Sequence, residues 1–156
     1  MTRETLGAWL VKGNPAVWDL AGYVDAGAGS IGSWAVRPGY RSRLMTPGDP
    51  IVFWVSGPVR GRFGRGIWGA GRVTGPVREV VEESPHWLDQ HGRDRVRSAI
   101  DVDLTLTDEP VLVADLLAFG VDDLEVQRAP WGPNPSWLSR RQWAVVQQLL
   151  PAGLFT

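Results

Sequence analysis

The chain has 156 residues, a formal net charge of −1, nine tryptophans, two histidines and no cysteine. Its length predicts a single domain over residues 1–156, and the lack of cysteine excludes disulfides and thiolate metal sites, so no metal or cofactor is expected. Because the sequence contains no apolar run of about eighteen residues and no signal-peptide pattern, it predicts a cytoplasmic protein without a membrane partner.

The first predicted elements are a strand and a helix. Residues 8–11 form an apolar run of strand length. The Asn14-Pro15 pair follows, and since Asn caps helices and Pro is tolerated in the first turn, it predicts a helix over 15–25. Glycines between residues 27 and 32 are then expected to end this helix.

The middle of the chain predicts an antiparallel hairpin. An extended piece is expected to begin at Trp34 and to be followed by a helical turn over 38–45. Residues 50–56 are nearly all apolar and rich in strand formers, which predicts a buried strand. Residues 57–66 are rich in glycine and arginine, which predicts an exposed loop between this strand and a second strand over 66–73.

The second half of the chain predicts one clear strand between less regular segments. Residues 82–97 are polar and predict a long, partly helical excursion. The strict alternation of apolar and polar residues over 98–106 predicts a strand with one buried face. A turn is expected over 107–110, and a short helix over 113–119.

The C-terminal segment predicts a rigid loop followed by a capped helix. Three prolines over 130–135 exclude regular structure there. Ser139 and Gln142 have the spacing of a capping box, and the apolar positions that follow predict a helix ending near Leu150. With about five or six strands and several short helices in mixed order, the expected fold class is α+β, as a strongly bent sheet or partly closed barrel with peripheral helices.

Charged residues are distributed unevenly along the chain. Eight arginines stand against one acid between residues 37 and 78, whereas thirteen acids stand against three arginines between residues 79 and 127. Such segregation predicts a basic surface that faces an anionic partner. Alternatively, the two segments neutralise each other across the fold.

Three tryptophans fall in predicted loops, where an aromatic face can receive a ligand: Trp34, Trp87 and Trp131. Bases stack on aromatic faces and arginine pairs with phosphate oxygens, so these tryptophans are candidate base-binding residues. Trp18 is instead expected to pack at the surface of the first helix. The candidate phosphate ligands are the arginines of the basic segment, namely Arg37, Arg41, Arg43, Arg60, Arg62 and Arg65.

Short motifs of the chain resemble those of EVE domains in their order and spacing. EVE domains begin roughly W-L-x-K-[ST]-E-P and continue with W-x-x-V-R. The matching segments here lie at 9–15, 34–37, 47–49, 66–69 and 134–143. The resemblance implies a PUA-like fold, shared with YTH and ASCH domains, in which a bent β-barrel carries peripheral helices.

The resemblance also implies a function and a site. It implies non-catalytic recognition of a modified base in DNA or RNA, such as a methylated or otherwise modified cytosine, in an aromatic cage beside a basic surface. By position, Trp34 and Trp87 correspond to cage tryptophans, and the other base-binding candidates are Trp131, Lys12, Gly13, Asn14, Arg128 and Asn134.

Two positions depart from the family pattern. Gly13 replaces the usual Ser or Thr, and Asn14 replaces the usual Glu. Asn offers both a donor and an acceptor where Glu offers only acceptors, so the preferred base is left open. Asn14 has a second interpretation, because it also has the position of a helix cap.

Two other classes of function compete with base recognition. A metal or acid–base site could be drawn from His86, Asp89, His91 and Asp94, or from Asp101 with Asp103, although neither set has a recognised catalytic spacing. The third class is a protein-interaction module that uses the arginine-rich loop to bind an acidic partner.

Overall fold

The structure, a computed structural model, describes residues 1–56, 62–81, 85–88, 96–132 and 134–154. The strands are β1 (Leu6–Gly13), β2 (Ser30–Ala35), β3 (Pro50–Val55), β4 (Gly66–Val81), β5 (Val96–Leu112) and β6 (Ser136–Ser139). The helices are α1 (Leu20–Asp25), α2 (Tyr40–Leu44), α3 (Val113–Ala118), α4 (Glu125–Arg128) and α5 (Arg140–Leu149). None of the described helices is both long enough and apolar enough to span a membrane.

The six strands form one mixed sheet in the order β2-β5-β4-β3-β1-β6. The β1–β3 pair is parallel and the other pairs are antiparallel. The sheet bends until its two edges approach each other: the side chain of Asn134, just before β6, donates to the carbonyl oxygen of Ala35 at the end of β2. No ladder joins β2 to β6 within the described ranges, so the barrel is partly closed. The predicted α+β, PUA-like architecture is confirmed.

The central strands are buried on both faces, which explains their nearly continuous apolar sequence. In β3, Ile51 and Phe53 face one cluster of buried side chains, while Val52 and Trp54 face another. The first cluster lies beneath α1, and the second is covered by the buried faces of α3, α4 and α5. The cavity described below opens beside the first cluster.

Most predicted elements are confirmed, but the first helix begins later than expected. Asp19 caps α1, because its Oδ1 accepts a hydrogen bond from the amide of Gly22 at 3.0 Å. The carbonyl oxygen of Asn14 accepts from the amides of Val17 and Trp18, so a separate turn precedes the helix. The prediction failed because Asn-Pro starts an isolated turn as readily as a helix.

The predicted turn over 107–110 is also wrong, since β5 continues through it. Leu106 pairs with Gly69 and Val111 pairs with Ile67, so residues 107–110 bulge opposite a single residue of β4. A bulge places extra residues in one strand without ending the pairing. The turn-forming residues therefore shift the register of β5 instead of terminating it.

The strands β4 and β5 are longer than the sequence predicts. β4 extends to Val81, and β5 begins at Val96, within the predicted polar excursion. Residues 82–84 and 89–95 of that excursion lie outside the described residues, as do residues 57–61 of the basic loop. The predicted antiparallel pairing of β3 with β4 is confirmed.

The buried carboxylate of Asp49 links the N-terminal segment to the sheet through hydrogen bonds. Asp49 accepts hydrogen bonds from both guanidinium nitrogens of Arg3, at 2.6 and 2.8 Å, from Trp9 Nε1 at 2.9 Å and from the amide of Thr46 at 3.0 Å. Burial raises the pKa of Asp49, but these hydrogen bonds and the charge of Arg3 outweigh it, so the net effect lowers the pKa. The folded state therefore favours the ionised carboxylate.

Candidate ligand-binding site

An aromatic cavity of about 370 Å³ opens where the end of β1, the turn before α1 and strand β2 meet. This volume is within the range of small-molecule sites, about 300 to 1,000 Å³. Its lining among the described residues consists of Lys12, Gly13, Asn14, Val17, Trp18, Tyr23, Ile31, Ser33, Trp34, Ala35 and Trp87.

Trp34 is held rigidly in the wall of the cavity. Its Nε1 donates to the carbonyl oxygen of Lys12 at 2.9 Å. Its ring stands edge-on to Phe53, with centroids 4.9 Å apart, and to Trp18, with centroids 5.2 Å apart. These perpendicular arrangements are favourable aromatic contacts, so the wall is formed before a ligand arrives.

Gly13 makes this arrangement of rings sterically possible. A Cβ atom at position 13 would lie 2.6 Å from Phe53 Cζ and 3.2 Å from Trp34 Cζ2. The first distance is shorter than real Cβ contacts, and Phe53 is fully buried. The glycine that departs from the EVE pattern is therefore required by the neighbouring rings of this chain.

Trp18 and Trp87 close another side of the cavity. Their backbones form an isolated antiparallel bridge, and the amide of Leu88 donates to the carbonyl oxygen of Val17 at 2.9 Å. The guanidinium of Arg97 lies over one face of the Trp87 ring, 4.1 Å from its centroid, in a cation–π contact. Trp87 is thereby held by backbone pairing on one side and by a cation on the other.

Lys12 ties the cavity to the proline-rich loop. Its Nζ donates to the carbonyl oxygens of Gly132 at 2.6 Å and Pro130 at 3.2 Å, and its amide donates to Asn134 Oδ1 at 3.2 Å. Burial lowers the pKa of Lys12; Glu125 opposes this effect and the positive charge of Arg37 adds to it. Lys12 and Asn134 therefore brace the loop that borders the cavity.

Asn14 caps the turn before α1 and also lies at the cavity. Its Oδ1 accepts a hydrogen bond from the amide of Ala16 at 2.9 Å, which is a capping contact for the turn. The same residue also lines the cavity.

The structure brings together five of the eight predicted base-binding residues: Lys12, Gly13, Asn14, Trp34 and Trp87. Asn134 supports the cavity from behind. Trp131 is 85% exposed and does not line the cavity, and Arg128 borders a separate cleft beside Glu125.

Trp18 is the cavity tryptophan that the sequence did not predict. It is only 9% exposed and it lines the cavity, whereas it was expected to pack at a helix surface. Its spacing of four from Asn14 is the signal that could have found it, because such residues share one side of a helical turn.

The candidate phosphate ligands have different surroundings. Arg41 forms a bidentate ion pair with Glu125, at 2.5 and 2.8 Å, so a phosphate would have to compete with this carboxylate. Arg62 pairs with Asp25 at 2.7 Å. The side chains of Arg37, Arg43 and Arg65 are exposed, and Arg60 lies outside the described residues.

Two of the described residues considered for catalysis, His86 and Asp101, have structural partners. The His86 ring contacts Trp18 and Tyr23, with centroids 5.4 and 5.3 Å apart. Asp101 accepts three hydrogen bonds from Arg78, at 2.9 to 3.2 Å. Asp89, His91 and Asp94 lie outside the described ranges, and the described residues hold no group of three potential metal ligands.

Together, the bent mixed sheet and its peripheral helices define an α+β protein of PUA-like fold, with an aromatic cavity beside one edge of the sheet. Comparison with known protein families found no family model that matches the chain, and no curated protein matches it either. Solved structures do match, over nearly the whole chain.

Three of the similar structures come from Leishmania major and from human. A hypothetical protein from Leishmania major aligns with a TM-score of 0.60 at 14% identity, over 94% of this chain and 96% of that chain. The DUF55 domain of human thymocyte nuclear protein 1 aligns with a TM-score of 0.56 at 17% identity, over 91% and 97%. The human THYN1 protein in complex with DNA containing 5-methylcytosine aligns with a TM-score of 0.49 at 16% identity, over 92% and 98%.

At these identities the likeness concerns the fold. The comparisons with the Leishmania major protein and with the human DUF55 (EVE) domain show that this chain has the same fold as these two proteins. The resemblance inferred from the short motifs is thus confirmed at the level of the fold.

Proposed function

We propose that this chain is a nucleic-acid-binding domain that recognises a modified base in DNA or RNA, such as a methylated cytosine, without catalysing a reaction. The observation that carries the proposal is the preformed cavity walled by Trp18, Trp34 and Trp87. A cytoplasmic location and a single domain over residues 1–156 belong to the same proposal.

The physical demands of base recognition match this cavity. Stacking of a base on an aromatic ring contributes about 1 to 3 kcal/mol. A methyl group buried against tryptophan adds about 0.8 kcal/mol, enough for a several-fold preference over the unmodified base. Because the rings are already fixed by Phe53 and by the Trp18–Trp87 bridge, little ordering cost opposes binding.

The cavity accepts one isolated base rather than a base pair. The target is therefore a single strand, or a base that turns out of a duplex at a cost of a few kcal/mol. Arg37 is a candidate to contact a phosphate next to the bound base, because its side chain is exposed and its charge acts on Lys12 at the cavity. Arg43, exposed on α2, is a second candidate for the strand backbone.

The test is a binding panel with fluorescein-labelled oligonucleotides followed by anisotropy. Short DNA and RNA strands carry one central cytosine or adenine, either unmodified or methylated, and are compared as single strands and duplexes. We expect one modified strand to bind several-fold more tightly than its unmodified counterpart. Equal affinity across every modified and unmodified pair would refute base recognition.

A matched pair of variants links the binding to the cavity. Trp34→Ala removes one wall and is expected to abolish the preference for the modified strand. Trp137→Ala removes another half-buried tryptophan, which borders a different cleft. This variant is expected to retain the preference for the modified strand. Thermal unfolding of both variants checks that the fold persists. A preserved preference in folded Trp34→Ala would place the site elsewhere.

A salt titration tests whether exposed arginines contact the phosphates of the strand. Phosphate contacts give a linear fall of log affinity with log salt concentration. A slope near zero would argue against contacts from Arg37 and Arg43 to the strand.

A further inference from the structure

One polar atom of the Asn14 side-chain amide is hydrogen-bonded within the protein, and the other is available to a ligand. Its Oδ1 accepts from the amide of Ala16 at 2.9 Å. Because a backbone N–H can only donate, the oxygen must face it, and the orientation of the Asn14 amide is fixed. In the part of the chain that the structure describes, Nδ2 has no hydrogen-bond partner, and the residue lines the cavity. Beside the cavity, the acceptor of the Asn14 side chain is therefore engaged, whereas its donor is not.

Four backbone acceptors around the cavity are already engaged. The carbonyl oxygens of Lys12, Gly13 and Ala35 accept hydrogen bonds from the side chains of Trp34, Ser56 and Asn134, respectively. The carbonyl oxygen of Asn14 accepts from two amides of the following turn. These four carbonyl oxygens are therefore less available to a ligand than the unengaged donor of Asn14.

The charge of the cavity lining disfavours a cationic ligand. None of the described residues in its lining is Asp or Glu, and the lining includes the cationic side chain of Lys12. Lys12 cannot easily turn away, because its Nζ is held by the carbonyl oxygens of Pro130 and Gly132. A cationic ligand would meet the positive charge of Lys12, with no carboxylate among the described lining residues.

We infer that Asn14 determines which bases enter the cavity: its Nδ2 donates to an acceptor atom on the base edge, so the cavity binds a neutral modified base and excludes a cationic one. This inference rests on the proposed function and specifies its ligand class. It assigns one side chain to two tasks, with Oδ1 capping the turn and Nδ2 facing the base.

Two isomers of methylcytosine provide the test. 5-Methylcytosine is neutral and keeps its ring-nitrogen acceptor, whereas 3-methylcytosine carries its methyl group on that nitrogen and is cationic at neutral pH. Both place one methyl group on the same base. We expect a single strand with 5-methylcytosine to bind about tenfold more tightly than the same strand with 3-methylcytosine, which corresponds to one hydrogen bond with a group otherwise left unpaired.

Asn14→Asp converts the donor into a carboxylate oxygen of nearly the same shape. Asp also caps turns, so the contact with Ala16 is expected to survive, and thermal unfolding verifies it. The variant should bind 5-methylcytosine about tenfold more weakly and narrow or reverse the preference between the two isomers. Gln147→Glu is the matched control, since it adds the same negative charge on the exposed side of α5, away from the cavity. The control should weaken the binding of both strands equally and leave the ratio of their affinities unchanged.

The outcomes separate this inference from the proposed function. If the unaltered protein binds the 3-methylcytosine strand as tightly as the 5-methylcytosine strand, or more tightly, the inference alone is overturned. The inference alone is also overturned if folded Asn14→Asp keeps the same ratio of affinities for the two strands. If neither strand, nor any other member of the modified panel, binds more tightly than an unmodified strand, the proposed function fails and the inference falls with it.

Discussion

Substitution of Gly13 by Ala is predicted to destabilise the protein through the rings that wall the cavity. Gly13 has no left-handed backbone angle, so Ala would by itself stabilise the fold by about 0.4 to 1 kcal/mol through the unfolded chain. The added Cβ, however, would lie 2.6 Å from Phe53 Cζ, and Phe53 is fully buried and packed against Trp34. Overpacking of this kind costs about 1 to 3 kcal/mol, so we expect a net loss of about 1 to 2 kcal/mol.

The measurement is urea unfolding of matched glycine variants. Gly32→Ala is the control, because Gly32 lies in β2, has no left-handed backbone angle, and has open space within 4 Å of the point where a Cβ would stand. It should shift the midpoint to higher urea, whereas Gly13→Ala should shift it to lower urea, with similar slopes. If Gly13→Ala is as stable as Gly32→Ala, the steric reasoning is refuted.

The identity of the obstructing ring can be tested with a second substitution. Phe53→Leu removes the end of the ring that a Cβ at position 13 would strike. The cost of Gly13→Ala should therefore be smaller in the Phe53→Leu background than in the unaltered protein, which a double-mutant cycle measures. An equal cost in both backgrounds would show that Phe53 is not the obstacle.

Three further predictions concern charge and exposure. Because the folded state lowers the pKa of Asp49, its pairing with Arg3 stabilises the protein above the usual aspartate pKa of about 4, and this contribution is lost as the pH falls through the lowered value. Asp49→Asn should thus lower the melting temperature at neutral pH and differ less from the unaltered protein in strong acid; a constant difference would contradict this. Arg41→Lys should cost about 1 kcal/mol in thermal unfolding, because lysine cannot form the bidentate pair with Glu125, and should leave the salt dependence of binding unchanged. Trp131→Ala should change the affinity for a modified strand by less than about twofold, because this side chain is 85% exposed outside the cavity; a larger loss in anisotropy would assign it to the ligand.

Local patterns in the sequence determined much of the fold. The apolar run of β3 and the alternation within β5 predict these strands because each records the burial of neighbouring side chains. The capping box of Ser139 and Gln142 is present in the structure, with hydrogen bonds of 3.2 and 2.8 Å. Such features involve residues close in sequence, so no knowledge of the remaining chain is needed to predict them.

The cavity could be predicted only in part. The motif resemblance correctly placed Trp34 and Trp87 in one region, although 53 positions separate them in the sequence, because ordered motifs carry information about a whole fold. Trp18 was missed because its role depends on an isolated bridge to Trp87, which no local pattern encodes. Trp131 was expected nearby, but the loop that contains it turns this ring toward solvent.

The sequence by itself determined the kinds of residues, the main strands and the order of the motifs. The tertiary structure alone decided how individual polar groups are used: Arg41 is paired with a glutamate 84 residues away, and Asn14 is left with one available donor. The physical reason is that hydrogen bonds and ion pairs require atoms within about 3 Å, a proximity that depends on the path of the whole chain. Residue type states what a side chain can do, and its neighbours in the fold decide which of those interactions remain available.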